Sequence, residues 1–180
     1  MKTHGPWTIK SSKSVYQDPW IEVTRDEVTQ PDGNPGTYAV VTIKPGVSVL
    51  PISPDGTVYL TNEFHYAVGR NTLETVSGGR EDGEAPLISA QRELQEELGI
   101  LAETWTHMGT VDPFTSNIVS PAELYIAEDL TFAETSPDAT EIIQCVEMSL
   151  AEAVQKVLDS EITHAPSGVL ILKAARLKGV

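Results

Sequence analysis

The sequence predicts an α/β fold, an α/β/α sandwich on a mixed sheet, preceded by a small N-terminal antiparallel β unit. Three observations lead there. The first third of the chain is rich in β-forming residues and punctuated by turns; a helical stripe occupies residues 86–98; and strands give way to two further helices towards the C-terminus. A chain of 180 residues has room for one domain with a small appendage. The expected division is a β unit over residues 1–44 and a main domain over residues 45–180.

Each element has a local reason. Residues 15–29 and 37–44 read as strands flanking the turn-forming run from Pro31 and Asp32 to Pro35 and Gly36. Residues 47–52 and 57–64 flank Ser53, Pro54, Asp55 and Gly56, a second hairpin signal. A short strand is expected over 72–76. The helix over 86–98 carries Leu87, Ala90, Leu94 and Leu98 on one stripe and stops at Gly99, where a left-handed residue ends a helix at little cost. Residues 122–126 and 142–146 read as strands. Ser149 and Glu152 stand in capping-box spacing ahead of a helix, and a last helix follows Pro166.

Composition excludes several classes of function. Apolar residues make up 40% and charged residues 21%, as in ordinary globular proteins. No apolar run is long enough to cross a bilayer, and the first residues lack the apolar stretch of a secretory signal, so a cytoplasmic protein without membrane contact is expected. The single Cys145 is expected to be a packed, unreactive thiol. A net charge of -14 argues against nucleic acid as a partner, because backbone recognition needs clustered Lys and Arg. The same acidity repels phosphorylated substrates unless bound cations invert the local field.

The sharpest feature is Gly78, then Glu84, then Arg92, Glu93, Leu94, Glu96, Glu97, Gly99 and Ile100. On a helix Glu93, Glu96 and Glu97 gather on one side while Leu94 and Leu98 turn to a core. Like charges at this spacing cost about 0.2–0.5 kcal/mol per pair. A solvated acidic face would leave that cost in place; divalent cations would offset it, and hard carboxylate oxygens suit Mg2+ or Mn2+. Arg92 is placed to pair with one of the glutamates.

The spacing from Gly78 to Ile100 resembles the Nudix box, with all nine specified positions matched in residue type. The resemblance extends from about Trp20 to Lys178 and is closest to the ADP-ribose pyrophosphatase branch, on Pro19, Trp20 and Ile21, Gly36, Thr37 and Tyr38, the run Leu73 to Gly79, and Glu161 with Ile162. It implies metal-dependent hydrolysis of a nucleoside diphosphate derivative, ADP-ribose first, with ADP-sugars, GDP-sugars or a non-catalytic nucleotide-binding module as alternatives. It also implies Glu93 and Glu97 as principal metal ligands, Glu84 and Glu96 in support, and the carbonyl of Ser77 as a further ligand.

In dimeric members of that branch aromatic side chains of the N-terminal unit clamp the adenine across the subunit interface. Trp20 and Tyr38 fall at matching places, which implies a homodimer. Two departures stand out. Glu63 and His65 occupy positions where many relatives carry Gln and Arg, and Phe114, Thr115, Ser116 and Asn117 replace a Pro-Gly with a later Glu. With His65 in place of an arginine, Arg70 or Arg80 is expected to compensate at the phosphates. The resemblance also implies a general base on a loop beyond the box; Glu134, Asp138 and Glu141 are candidates, and Glu141 is favoured because it adjoins the following strand.

Overall fold

The computed structural model describes residues 1–135 and 142–180. In chain order the elements are β1 (Lys2–His4), β2 (Trp7–Gln17), β3 (Ile21–Thr29), β4 (Pro35–Ile43), β5 (Gly46–Pro51), β6 (Thr57–His65), β7 (Arg70–Glu74) and β8 (Val76–Gly79). Then follow α1 (Pro86–Leu98), β9 (Ile100–Val111), β10 (Ile118–Val119), β11 (Ala122–Phe132), β12 (Gln144–Ser149), α2 (Leu150–Leu158) and α3 (Ala165–Lys178). The chain divides into two compact units, one of Met1–Pro45 with Asp112–Pro121 and one of Gly46–Val111 with Ala122–Val180.

The first unit is a five-stranded sheet in the order β1-β2-β3-β4-β10, antiparallel except for the short parallel pairing of β10 with β4. Residues 15–29, expected as one strand, are two. The Asp18 carboxylate accepts the backbone N–H groups of Trp20 and Ile21, both at 2.8 Å, and this side-chain turn separates β2 from β3. The β3–β4 hairpin closes where the sequence places it. Asp32 accepts from the Asn34 N–H at 3.0 Å, and Gly33 supplies the positive φ of 87° that the turn requires.

The second unit holds a mixed four-stranded sheet, β8-β5-β11-β9, and an antiparallel three-stranded sheet, β12-β6-β7. β5 and β11 run parallel, from Ala122 opposite Gly46 to Ala127 opposite Pro51. Side chains of β11 alternate between two cores. Leu124 and Ile126 join Leu50, Leu60, Leu150, Leu170 and Ile171 beneath α2 and α3, whereas Tyr125 and Ala127 join Val47, Val49, Ala90, Leu94 and Leu98 beneath α1. Helices therefore cover both faces of the sheet, which is the predicted α/β/α arrangement. α1 has the expected bounds, and Gly99 ends it at φ 63° with its N–H on the carbonyls of Leu94 and Gln95. Ser149 caps α2 by accepting from the Glu152 N–H at 3.1 Å.

Other expectations fail: β5 and β6, expected as a hairpin, belong to different sheets and, among the described residues, share only the bridge between Ile52 and Val58. β9 was not anticipated, because its Thr, Glu and His residues give no clean alternation; pairing with β11 along its length holds it, and extends β11 to Phe132. The strand expected over 72–76 breaks at Thr75 into β7 and β8, which belong to different sheets. The break is pinned by hydroxyls. The fully buried Ser167 meets the Thr75 N–H and the Thr75 Oγ1 at 3.0 Å each, and Thr75 Oγ1 lies 2.6 Å from Ser48 Oγ. Cys145 is exposed on β12 rather than packed, although partial desolvation and then Glu147 raise its thiol pKa, so it is not a poised nucleophile.

A second polar node ties β6, β7 and α3. Glu74 meets His65 Nε2 at 3.3 Å, His164 Nδ1 at 3.0 Å and the Thr72 hydroxyl at 2.6 Å. Burial pushes its pKa up, but His164, Thr72 and His65 together outweigh that and hold it below the ordinary carboxylate value of 4.5. Its contribution to stability is therefore complete above that value and lost as pH falls through the lowered one. Glu74→Gln should cost about 1–3 kcal/mol at pH 7. The deficit should shrink on acidification below the ordinary carboxylate range, and denaturant melts at pH 7 and pH 3 check this; a gap independent of pH would contradict it.

A carboxylate site organised by Arg92

The box residues assemble around one guanidinium. Arg92, on α1, donates from Nε to Glu84 Oε1 at 3.1 Å, from Nη1 to Glu93 Oε1 at 2.8 Å and Glu96 Oε2 at 2.9 Å, and from Nη2 to the Gly79 carbonyl at 3.1 Å and Glu84 Oε2 at 3.2 Å. Its planar fork gives each carboxylate a separate direction, which lysine cannot do. These bonds raise the Arg92 pKa further above its ordinary value, with Glu84 as the largest cause.

Glu84 lies just before α1 and is held from several sides. Beyond Arg92 it accepts from the Ser89 hydroxyl at 2.6 Å and from the Glu81 N–H at 3.0 Å. Arg92 first, then Ser89, lower its pKa to about 2. Its negative charge also sits at the positive end of the helix dipole. Ser89 carried no sequence signal for this role, since its position matters only once the loop before α1 folds back.

Gly78 has a steric reason to be glycine. A Cβ there would stand 2.0 Å from the Glu93 carboxyl carbon, so the carboxylate lies directly against the backbone of β8. Ser77, next to it, pairs with Ser48 across β5 and β8. Glu97 follows Glu93 by one turn on α1 and is half-buried like Glu93 and Glu96.

Among the described residues, no three His, Cys, Asp or Glu side chains already stand in metal-coordinating geometry, because Arg92 takes up three of the carboxylates. The donor set nevertheless suits a hard divalent cation. Glu84, Glu93, Glu96, Glu97 and the Ser77 carbonyl offer only oxygens, in the number and charge that Mg2+ or Mn2+ takes alongside a substrate phosphate.

The other candidates fall elsewhere. Arg80 is in the loop after β8, donates from Nη2 to the Glu84 carbonyl at 2.8 Å, and has a buried Nε without a partner among the described residues. His65 is engaged by Glu74 and Arg70 by the Thr163 hydroxyl at 2.8 Å. Glu141 and Asp138 lie outside the described residues, and Glu134 is exposed.

Trp20 and Tyr38 lie in the first unit, Trp20 just before one end of the β3–β4 pair and Tyr38 near its middle. Asp26 faces Tyr38, whereas Trp20 is six residues earlier, beside Lys44, whose ammonium sits 5.2 Å from the indole centroid. At about 3.3 Å per residue the two rings are about 20 Å apart along the strand, too far to hold one base between them within one chain.

The family profile of the NUDIX domain matches residues 42–167, and that of the nucleoside diphosphate sugar hydrolase N-terminal domain matches residues 7–41. The chain belongs to the Nudix family and is a Nudix pyrophosphohydrolase. It is 27% identical over 176 residues to an ADP-ribose pyrophosphatase of Bacillus subtilis, covering 95% of this chain and 93% of the relative. It is 29% identical over 180 residues to an ADP-ribose pyrophosphatase of Mycobacterium tuberculosis, covering 97% and 86%. A crystal structure of an ADP compounds hydrolase shares the fold, with a TM-score of 0.83 at 22% identity over 99% of this chain and 98% of that one.

The Gly78–Glu93 contact gives a test of the site. Gly78→Ala meets only the flexible end of Glu93, so the protein should keep its melting temperature while the carboxylate is displaced. Displacements of this size cost about 10²-fold in rate, and kcat/KM measured beside thermal melting should show the loss.

Proposed function

We propose that this enzyme hydrolyses ADP-ribose to AMP and ribose 5-phosphate in a Mg2+-dependent reaction, with Mn2+ as a substitute. The convergence of Glu84, Glu93 and Glu96 on Arg92 against the glycine backbone of β8 carries the reading of the reaction. The relatives named ADP-ribose pyrophosphatase, similar over nearly the whole chain, support the substrate.

In this reading Glu93 and Glu97 are the principal metal ligands, and Glu84, Glu96 and the Ser77 carbonyl complete the set. When bound, the cation neutralises charge on the pyrophosphate and lowers the pKa of the attacking water. Arg92 keeps the carboxylates apart and aimed while substrate arrives. Of the three side chains expected at the phosphates, Arg80 is the best supported, because His65 and Arg70 already have Glu74 and Thr163. Glu141 serves as general base, since the box carboxylates are committed elsewhere. Two copies of the chain form the working enzyme, Trp20 of one and Tyr38 of the other stacking on the adenine; the separation of about 20 Å supports this.

Product chromatography tests the substrate: AMP and ribose 5-phosphate are expected from ADP-ribose, and excess chelator should abolish both. If ADP-ribose is inert while a GDP-sugar turns over, the substrate is wrong and the chemistry stands. Glu97→Gln should lose rate far more than affinity for AMP. Glu141→Gln should lower turnover by about 10²–10⁴-fold with substrate binding kept. Mixing separately inactive Trp20→Ala and Tyr38→Ala proteins should restore roughly a quarter of wild-type activity, since half of randomly exchanged dimers carry one intact site. No recovery on subunit exchange would rule out a shared base site.

A further inference from the structure

One face of the first unit's sheet holds a hollow of about 430 Å³, within the range of small-molecule sites. Trp7, Asp26, Tyr38, Ser116 and Asn117 are among its walls. Trp7 meets Tyr38 edge to face, with ring centroids 5.5 Å apart and planes at 72°. The Tyr38 hydroxyl donates to the Ser116 carbonyl, which fixes the ring. Both aromatics are thus set before any ligand arrives, and they offer a flat group the apolar surface it stacks on.

Asp26 does not fit an ordinary sheet face. It lies in the middle of β3 opposite Tyr38 and is only 9% exposed, and its Oδ1 is buried with no hydrogen-bond partner among the described residues. Buried acceptors are nearly always paired, because an unpaired one keeps its full desolvation cost. A carboxylate in the wall of an aromatic hollow is therefore a place for a donor that the sheet does not supply.

We propose that Asp26 is a specificity-determining residue that accepts a hydrogen bond from the exocyclic amino group of the substrate's base. The proposal rests on the reading that the base of a nucleoside diphosphate derivative docks at Tyr38. Adenine carries an N–H donor where guanine and hypoxanthine carry a carbonyl oxygen. A carboxylate oxygen accepts, so at that ring position a carbonyl base would set two acceptors face to face. Adenine's amino group thus supplies the donor that Asp26 Oδ1 is without among the described residues.

AMP and IMP differ at this ring position and nowhere else in the heavy-atom outline, so calorimetric titration of both into wild-type protein reads the preference directly. AMP is expected to bind roughly 10- to 100-fold more tightly. Asp26→Asn, whose amide both donates and accepts, should bring the two affinities close together, mainly by gaining IMP. Equal binding of AMP and IMP to wild type, no binding of either, or an unchanged ratio in Asp26→Asn would overturn the proposal. Should that variant not fold, N6,N6-dimethyl-AMP on wild type takes its place: without an N–H it should bind no better than IMP, and binding equal to AMP sinks the idea. Preference for AMP over IMP with no cleavage of ADP-ribose would leave Asp26 in its role and remove the ADP-ribose reading instead.

Discussion

Gathering carboxylates on one helix face costs free energy through their mutual repulsion, and Arg92 is the group that makes the arrangement tolerable. It stands between Glu84, Glu93 and Glu96, and its remaining bond to the Gly79 carbonyl ties the helix to the strand before it. The loop between β8 and α1 is thereby closed from both ends, by Glu84 at the helix start and by Gly79 at the strand end. The same guanidinium that stabilises the charge cluster also sets its geometry. Side-chain exposures of 30% for Arg92 and 14% for Glu84 mean that solvent screens the pair only partly.

The sheet beneath explains why this cluster sits where it does. β5 is buried on both faces, with Val47 and Val49 under α1 and Leu50 under α3. It fixes β8 on one side and β11 on the other, so Gly78 is brought against the Glu93 carboxylate by the sheet while the Arg92 bond to the Gly79 carbonyl ties the helix to the same strand. The hydroxyl set of Ser48, Thr75, Ser77 and Ser167 then turns the chain from β7 into β8 without leaving buried donors unpaired. A short polar kink inside an apolar core thus delivers the loop that carries the chemistry.

The first unit works by a different logic. Its sheet is local in sequence, hairpin after hairpin, and only Asp112–Pro121 joins it from afar, through β10 on β4. That late segment supplies Ser116, which receives the Tyr38 hydroxyl, so an aromatic from the start of the chain is oriented by a loop nearly eighty residues later. Aromatic placement in this unit is accordingly a tertiary outcome, although the aromatic residues themselves are plain in the sequence.

What the sequence determined by itself was whatever depends on short spacing. The α1 bounds, the Gly99 stop, the Ser149 cap, the turn at Asp32 and Gly33, and the sharing of one helix face by Glu93, Glu96 and Glu97 all follow from three- and four-residue periods and from turn chemistry. The tertiary structure decided what depends on neighbours distant in sequence. β9 exists because β11 pairs with it, residues 72–76 split because Ser167 reaches Thr75, and His65 is committed because Glu74, itself held by His164, meets it. It also decided that Trp20 and Tyr38 stand apart on one sheet while Asp26 and Trp7 stand beside Tyr38. A one-dimensional period fixes which side chains share a face; only the register of strands against strands fixes which faces meet.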